Sequence, residues 1–311
     1  MSTRVIDCFD DNIRNYIISN LSPYISGNQK QVIEQEHIKQ LTLRYINWTD
    51  RLISLKSKSV LMSKELQESP EFLKFSDAIW EIYRKFTIGE NLKAYLSRRI
   101  VQKAISLNNT SQSADKDGML NEWGFHHLHL GTQLENDGFI QRTNELLFTR
   151  VFEDCVCFIN IFTHDDFSNS EAIKILHRNW PETIRPFKMN DIKAPPTERT
   201  DQDRSELRKA GMTNFITIDG NVYAPPRGLV TSGHSLKTVD NVSRFFERIN
   251  NIRTYCLNNS DGVIQDIEKA SNIKIDRLNL EISFSHPPFL EPFFIVETNS
   301  NVGILNSENL R

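Results

Sequence analysis

The chain has 311 residues, 39% hydrophobic and 25% charged, enough for a sizeable core in two or three domains. Its formal net charge of −3 is uneven, +4 over residues 1–110, −5 over 111–194 and −2 over 195–311, so no segment shows the strongly basic footprint of a general nucleic-acid binder. No apolar run reaches about 18 residues, and Met1-Ser-Thr-Arg-Val-Ile-Asp7 lacks the order of a signal peptide, so no membrane contact and a cytoplasmic location are expected.

The first hundred residues read as helical. Ile38, Leu41, Tyr45, Trp48, Leu52 and Leu55 follow a 3–4–3–4–3 rhythm that forms one stripe of a long helix. A second helix is predicted over 70–86, and Gly89 separates it from a third reaching Ile105. The stripe spans under three heptads, which favours packing within the chain, with a protein partner or a homodimer through these helices as the competing reading. Arg51, Lys56, Lys58, Arg98, Arg99 and Lys103 are the one hint of a basic patch and read as solvated helix faces. The polar stretch 108–117 reads as a linker.

The pattern changes at Gly118. A short histidine-rich strand over 125–130 precedes two strand-like runs, 146–152 and 156–164, whose short connection predicts a hairpin. A helix follows over 171–178 and stops before Asn179-Trp-Pro181. Beyond Ala194-Pro-Pro196 come a polar helix ending at Gly211, a hairpin turning at Asp219-Gly220, an amphipathic helix over 239–257 and strands over 273–284 and 293–296. The expected class is α+β, with a helical region over 1–110, a central α+β domain over 117–193 and a second α+β domain over 197–311. The cysteines, Cys8, Cys155, Cys157 and Cys256, are too few and scattered for a disulfide framework and read as reduced thiols.

Five of the eight histidines fall within 126–177. Side chains alternate along a strand, so His127 and His129 share a face about 7 Å apart while His126 points to the other. Histidine suits proton transfer near neutrality, and Arg142, just before the hairpin, suits a phosphate clamp; His164 ends the second strand. Two or three imidazoles beside an arginine are the toolkit of phosphodiester cleavage without a cofactor. Arg150, mid-strand, is a weaker candidate. The same groups admit a metal, since His127, His129 and His164 with Asp165 or Asp166 supply N/O ligands suited to zinc or manganese, although the spacing is no defined metal signature. Ser232-Gly-His-Ser235 lacks the flanking glycines of a nucleophile elbow, and no P-loop or dinucleotide fingerprint occurs.

The segment Asp117-Gly-Met-Leu-Asn-Glu-Trp-Gly-Phe-His-His-Leu-His-Leu-Gly131, with Arg142-Thr-x-x-Leu-Leu-Phe148, His164 and Asn179-Trp-Pro181, resembles a group of bacterial proteins over roughly residues 45–190. The layout of histidine strand, arginine and hairpin ending in histidine also looks like the small ribonuclease toxins of the RelE and barnase-like kind. That likeness implies a metal-independent ribonuclease of a toxin or phage-defence system acting on RNA. His127 and His129 would be general acid and base, Arg142 the phosphate clamp and His164 an assistant. The chain departs from those toxins in its size, its acidic middle and its long flanks. The alternative is a non-enzymatic interaction or regulatory protein with structural histidines, binding a protein or a nucleic acid; a metallohydrolase is third.

Overall fold

The computed structural model describes residues 5–21, 28–102, 105, 116–163, 170–195, 199–285, 288–290 and 293–306. The chain opens with β1 (Val5–Asp7), α1 (Phe9–Leu21), α2 (Asn28–Gln35), α3 (Ile38–Thr49), β2 (Ser59–Met62), α4 (Lys64–Gln67), α5 (Pro70–Lys74), α6 (Ser76–Ile88) and α7 (Arg99–Gln102). Its middle contributes α8 (Gly118–Trp123), β3 (Phe125–His129), β4 (Glu145–Val151), β5 (Cys155–Thr163), α9 (Glu171–Asn179) and β6 (Lys188–Lys193). There follow α10 (Asp201–Lys209), β7 (Ile216–Ile218), β8 (Asn221–Tyr223), α11 (Leu236–Asn258), α12 (Ser260–Ser271), β9 (Leu278–Phe284), β10 (Phe293–Glu297) and β11 (Val302–Asn306). The class is α+β, as the sequence predicts.

The domain boundaries differ from those expected. One compact unit joins Met1–Thr49 to Thr238–Arg311, and the other is continuous over Asp50–Lys237. The first is held by a sheet of order β1-β9-β10-β11, in which β1 lies parallel to β9 and the other pairs are antiparallel. The stripe of α3 is buried in its core through Ile38, Leu41, Tyr45 and Trp48 and ends with the helix at Thr49, so Leu52 and Leu55 do not extend it. Phe9, Ile13, Ile17 and Leu21 of α1 repeat every four residues and are buried as well. Arg253 of α11 grips both carboxylate oxygens of Asp7 at 2.9 and 2.8 Å, fixing β1 to that helix.

In the continuous unit the sheet order is β2-β5-β4-β3, with β2 parallel to β5 and the rest antiparallel. The predicted hairpin is β4 and β5, and β3 pairs with β4 as the edge strand. Both faces are covered. On one, Ala78, Ile79, Ile82 and Phe86 of α6 pack against Leu128, Leu147, Val156 and Phe158. On the other, Trp123 of α8 and Ile173 and Leu176 of α9 pack against Phe125, Phe148, Cys157 and Ile159. The helix predicted over 70–86 is broken at Phe75, which caps the end of α5 and the start of α6. A small sheet of order β6-β8-β7 adds Ile216, Ile218 and Tyr223 to the second face. Its hairpin turns on Asp219 and Gly220, both at positive φ, the pairing a two-residue turn requires.

Candidate active site

The site grows out of one short piece of chain, α8 and the strand after it. Asp117 caps α8, its Oδ1 accepting from the Leu120 amide at 3.0 Å, and Gly124 ends the helix in the left-handed region at φ 76°. A side chain at Gly124 would be strained by that φ and would stand 3.3 Å from the Arg150 guanidinium carbon. The chain therefore turns straight from helix into strand and brings His127 back to the cap. His127 Nδ1 lies 3.3 Å from Asp117 Oδ2, so one carboxylate caps the helix with one oxygen and faces the imidazole with the other.

His127 and Asp117 border a cavity of about 390 Å³, large enough to hold a ligand of roughly nucleotide size. Among the described residues, five cations line it, Arg51, Arg99, Lys116, Arg142 and Arg208, and Asp117 is the one carboxylate. The five come from separate stretches of chain, each unremarkable in a running charge count, so a chain segment of net charge −5 contributes to a basic pocket.

Local packing places the cations. Gly131 lets two loop arms cross, because a Cβ there would lie 2.2 Å from the Gln141 carbonyl oxygen; Gln141 N donates to Gln133 O at 2.8 Å and carries Arg142 beside it. The Leu130 amide donates to Thr143 Oγ1 at 3.0 Å, tying the same loop to the end of β3. Arg208 of α10 reaches across Gly118, where a Cβ would stand 2.3 Å from its Cδ. It pairs at 2.9 Å with Glu122 Oε2, while Glu122 Oε1 accepts from the Asn214 amide at 2.6 Å. Glu122 is wholly buried, and burial raises its pKa above the usual carboxylate range against the opposing pull of Arg208. This buried pair anchors α10 to α8.

The expected site residues do not all meet. His127 and Arg142 line the cavity; His129, 2% exposed, is buried outside that lining; His164, Asp165 and Asp166 lie outside the described residues. His126 borders the cavity instead. Strand alternation does put His127 on the Phe148 side and His126 on the other, but β3 is an edge strand, and a cavity at an edge can be reached from both faces. Both ring nitrogens of His126 are sealed from solvent. Burial pushes its pKa down to about 4, with Asp117 opposing and Arg227 and His127 reinforcing the shift.

Other candidates have structural roles. Arg150 is buried, donates to the Trp123 carbonyl and lies over the rings of Phe125 and Phe152 at 5.9 and 5.4 Å; burial lowers its pKa to about 10. Arg98 pairs with Glu135 and Asp137, and the Lys58 ammonium donates to the carbonyls of Phe152 and Glu153. Arg51 and Arg99, read as solvated, turn into the cavity; Lys103 lies outside the described residues. Ser232 Oγ and His234 Nδ1 are 2.9 Å apart within one tight loop. Among the described residues, no group of three or more His, Cys, Asp or Glu side chains could hold a metal ion, and no helix is long and apolar enough to cross a membrane.

No protein-family model matches this chain, and neither curated proteins nor solved structures show significant similarity to it.

Proposed function

We propose that the Asp50–Lys237 unit is a metal-independent phosphodiesterase acting on RNA. The observation that carries this reading is the His127–Asp117 pair opening onto a cavity lined by five cations. Asp117 faces the imidazole from the Nδ1 side at 3.3 Å, and its charge favours the imidazolium that forms when the ring takes a proton, which the scheme assigns to Nε2. His127 takes the proton of an RNA 2′-hydroxyl as its oxygen bonds to phosphorus. The bond to the 5′-oxygen breaks, and Lys116, the lysine among the lining cations, is assigned to protonate that oxygen. Arg142 and Arg51 bear on the phosphate, where charge builds in the transition state. His129 is absent from this scheme because it does not reach the cavity, and His126 because its nitrogens are sealed. Cleavage of cellular RNA would make expression toxic, the behaviour of a toxin or phage-defence effector.

The test is an RNA oligonucleotide incubated with the purified chain in EDTA. Cleavage to 2′,3′-cyclic phosphate and 5′-hydroxyl ends is expected, lost with 2′-O-methyl RNA and reduced by about 10²-fold or more in His127→Ala. Intact RNA with the wild-type chain refutes the proposal.

A further inference from the structure

Resting on the reading of the cavity as a site for RNA, we infer that Arg227, which stands outside the lining, is a positioning residue that fixes Arg51 and α8 in the cavity wall. The chain enters the Asp50–Lys237 unit at its first residue and leaves it at its last, and Arg227 holds both. Its guanidinium pairs with the Asp50 carboxylate. Its carbonyl accepts from the Lys237 amide at 3.1 Å and from Ser235 Oγ at 3.2 Å. The two groups of the ion pair are 16% and 22% exposed, so solvent screens them less than it would a pair on the open surface.

The Asp50 contact bears on the cavity through the next residue. Arg51 is 8% exposed and lines the cavity, yet residues 51–58 belong to no helix or strand, so no ladder or helical turn sets where it stands. Pairing Asp50 with Arg227 fixes the backbone one residue away. The same arginine reaches a second wall. Its amide donates to the Glu122 carbonyl at 3.1 Å near the end of α8, and a Cβ at Gly124, where that helix stops, would stand 3.4 Å from Arg227 Cδ. Farther along the same loop, the Gly233 carbonyl accepts from Asn121 Nδ2 at 3.0 Å. α8 and its cap supply Asp117, Gly118, Met119 and Leu120 of the lining. Arg227 thus sets Arg51 relative to Asp117, the carboxylate beside His127. A displacement of the chain at either crossing is delivered to the cavity at those two places, which makes the junction a point of control over the site.

Arginine-selective labelling with p-hydroxyphenylglyoxal, read site by site by mass spectrometry on the full chain, tests this without RNA. In the wild type Arg51 should react slowly and the exposed Arg99 and Arg142 quickly. Arg227→Gln and, as a second break of the same pair, Asp50→Ala should each speed Arg51 labelling about tenfold, with Arg99 and Arg142 unchanged. Arg227→Lys, which keeps a donor for Asp50, should restore the slow rate. Unchanged Arg51 labelling in both broken pairs overturns the inference, as does a rise shared by all three arginines, which would mark general loosening. Fluorescence anisotropy with a 2′-O-methyl RNA decamer, which cannot be cut through its own 2′-oxygen, joins the positioning role to the site. Arg227→Gln should weaken binding about tenfold and add no further loss in an Arg51→Gln background. Equal binding by Arg227→Gln and the wild type, or full additivity of the two losses, overturns the inference. A labelling response in a chain that neither binds nor cuts RNA overturns the proposed function alone, and RNA binding and cleavage with no labelling response overturn the inference alone.

Discussion

Acid should weaken the Asp50–Lys237 unit through His126, and the size of the effect follows from the burial of its ring. An unperturbed imidazole titrates near 6.5, whereas His126 is pushed down to about 4, chiefly by loss of solvent around its nitrogens. Between those values the unfolded chain binds a proton that the folded chain refuses, so the folded state loses stability as pH falls from about 6.5 toward 4. A gap of about 2.5 pKa units is worth roughly 3 kcal/mol, most of it gone by about pH 4.5. Urea denaturation followed by tryptophan fluorescence measures it. Trp80, Trp123 and Trp180 lie in this unit and Trp48 in the other, so a Trp48→Phe background makes the signal report on the right one. His126→Gln cannot titrate, and acid-sensitive carboxylates are common to both proteins, so the difference between the two pH profiles isolates His126. The wild type should lose roughly 3 kcal/mol more than the variant between about pH 7 and pH 4. Parallel profiles would show that the ring is solvated in solution and would refute the reasoning.

Asp117→Asn keeps the helix cap and removes the charge beside His127, so stability should change by a few tenths of a kcal/mol while RNA cleavage falls about 10²- to 10⁴-fold; a matching loss of both would point to a structural role. Glu122→Ala leaves Arg208 and the Asn214 amide without their buried acceptor and should cost about 3–5 kcal/mol in urea denaturation, with Glu122→Gln milder. Gly131→Ala forces a backbone shift against Gln141, and should lower the melting temperature and weaken RNA binding together through the Arg142 loop. In a thiol-reagent titration of the native chain Cys8, which is exposed, should react quickly. Cys157 and Cys256, buried with pKa values pushed up to about 12 and 11, should react only on unfolding.

The elements with a local cause were legible in the sequence. The β4–β5 hairpin, α9, the Asp219-Gly220 turn and the buried stripe of α3 each follow from a period of 2 or 3.6, a glycine or a proline. β1 and β2 were hidden, because three or four residues are too few to show alternation and both are completed by partners far along the chain, β9 and β5. The site was half visible for a similar reason. Alternation paired His127 with His129 on one face, which holds for the strand, but it carries no information on which positions a cavity at the sheet edge will reach. Asp117 stood in the sequence as the end of a linker; only the left-handed turn at Gly124 brings it beside His127. The basic character of the cavity is a property of convergence. Arg51, Arg99, Lys116, Arg142 and Arg208 occupy no common window, and no sum over neighbouring residues could have found them.

The interruption of one unit by the other also sets an order of events during synthesis. β1 leaves the ribosome early but has no partner until β9 is made, after the whole of Asp50–Lys237 has emerged. The continuous unit can close its core and shape its cavity while the chain is still growing, whereas α1 and α3, with their apolar stripes, wait uncovered. A ribosome stalled past Lys237 should therefore carry an inner unit already protected from protease beside an N-terminal segment that is still cut, and a premature stop there would release an exposed apolar surface.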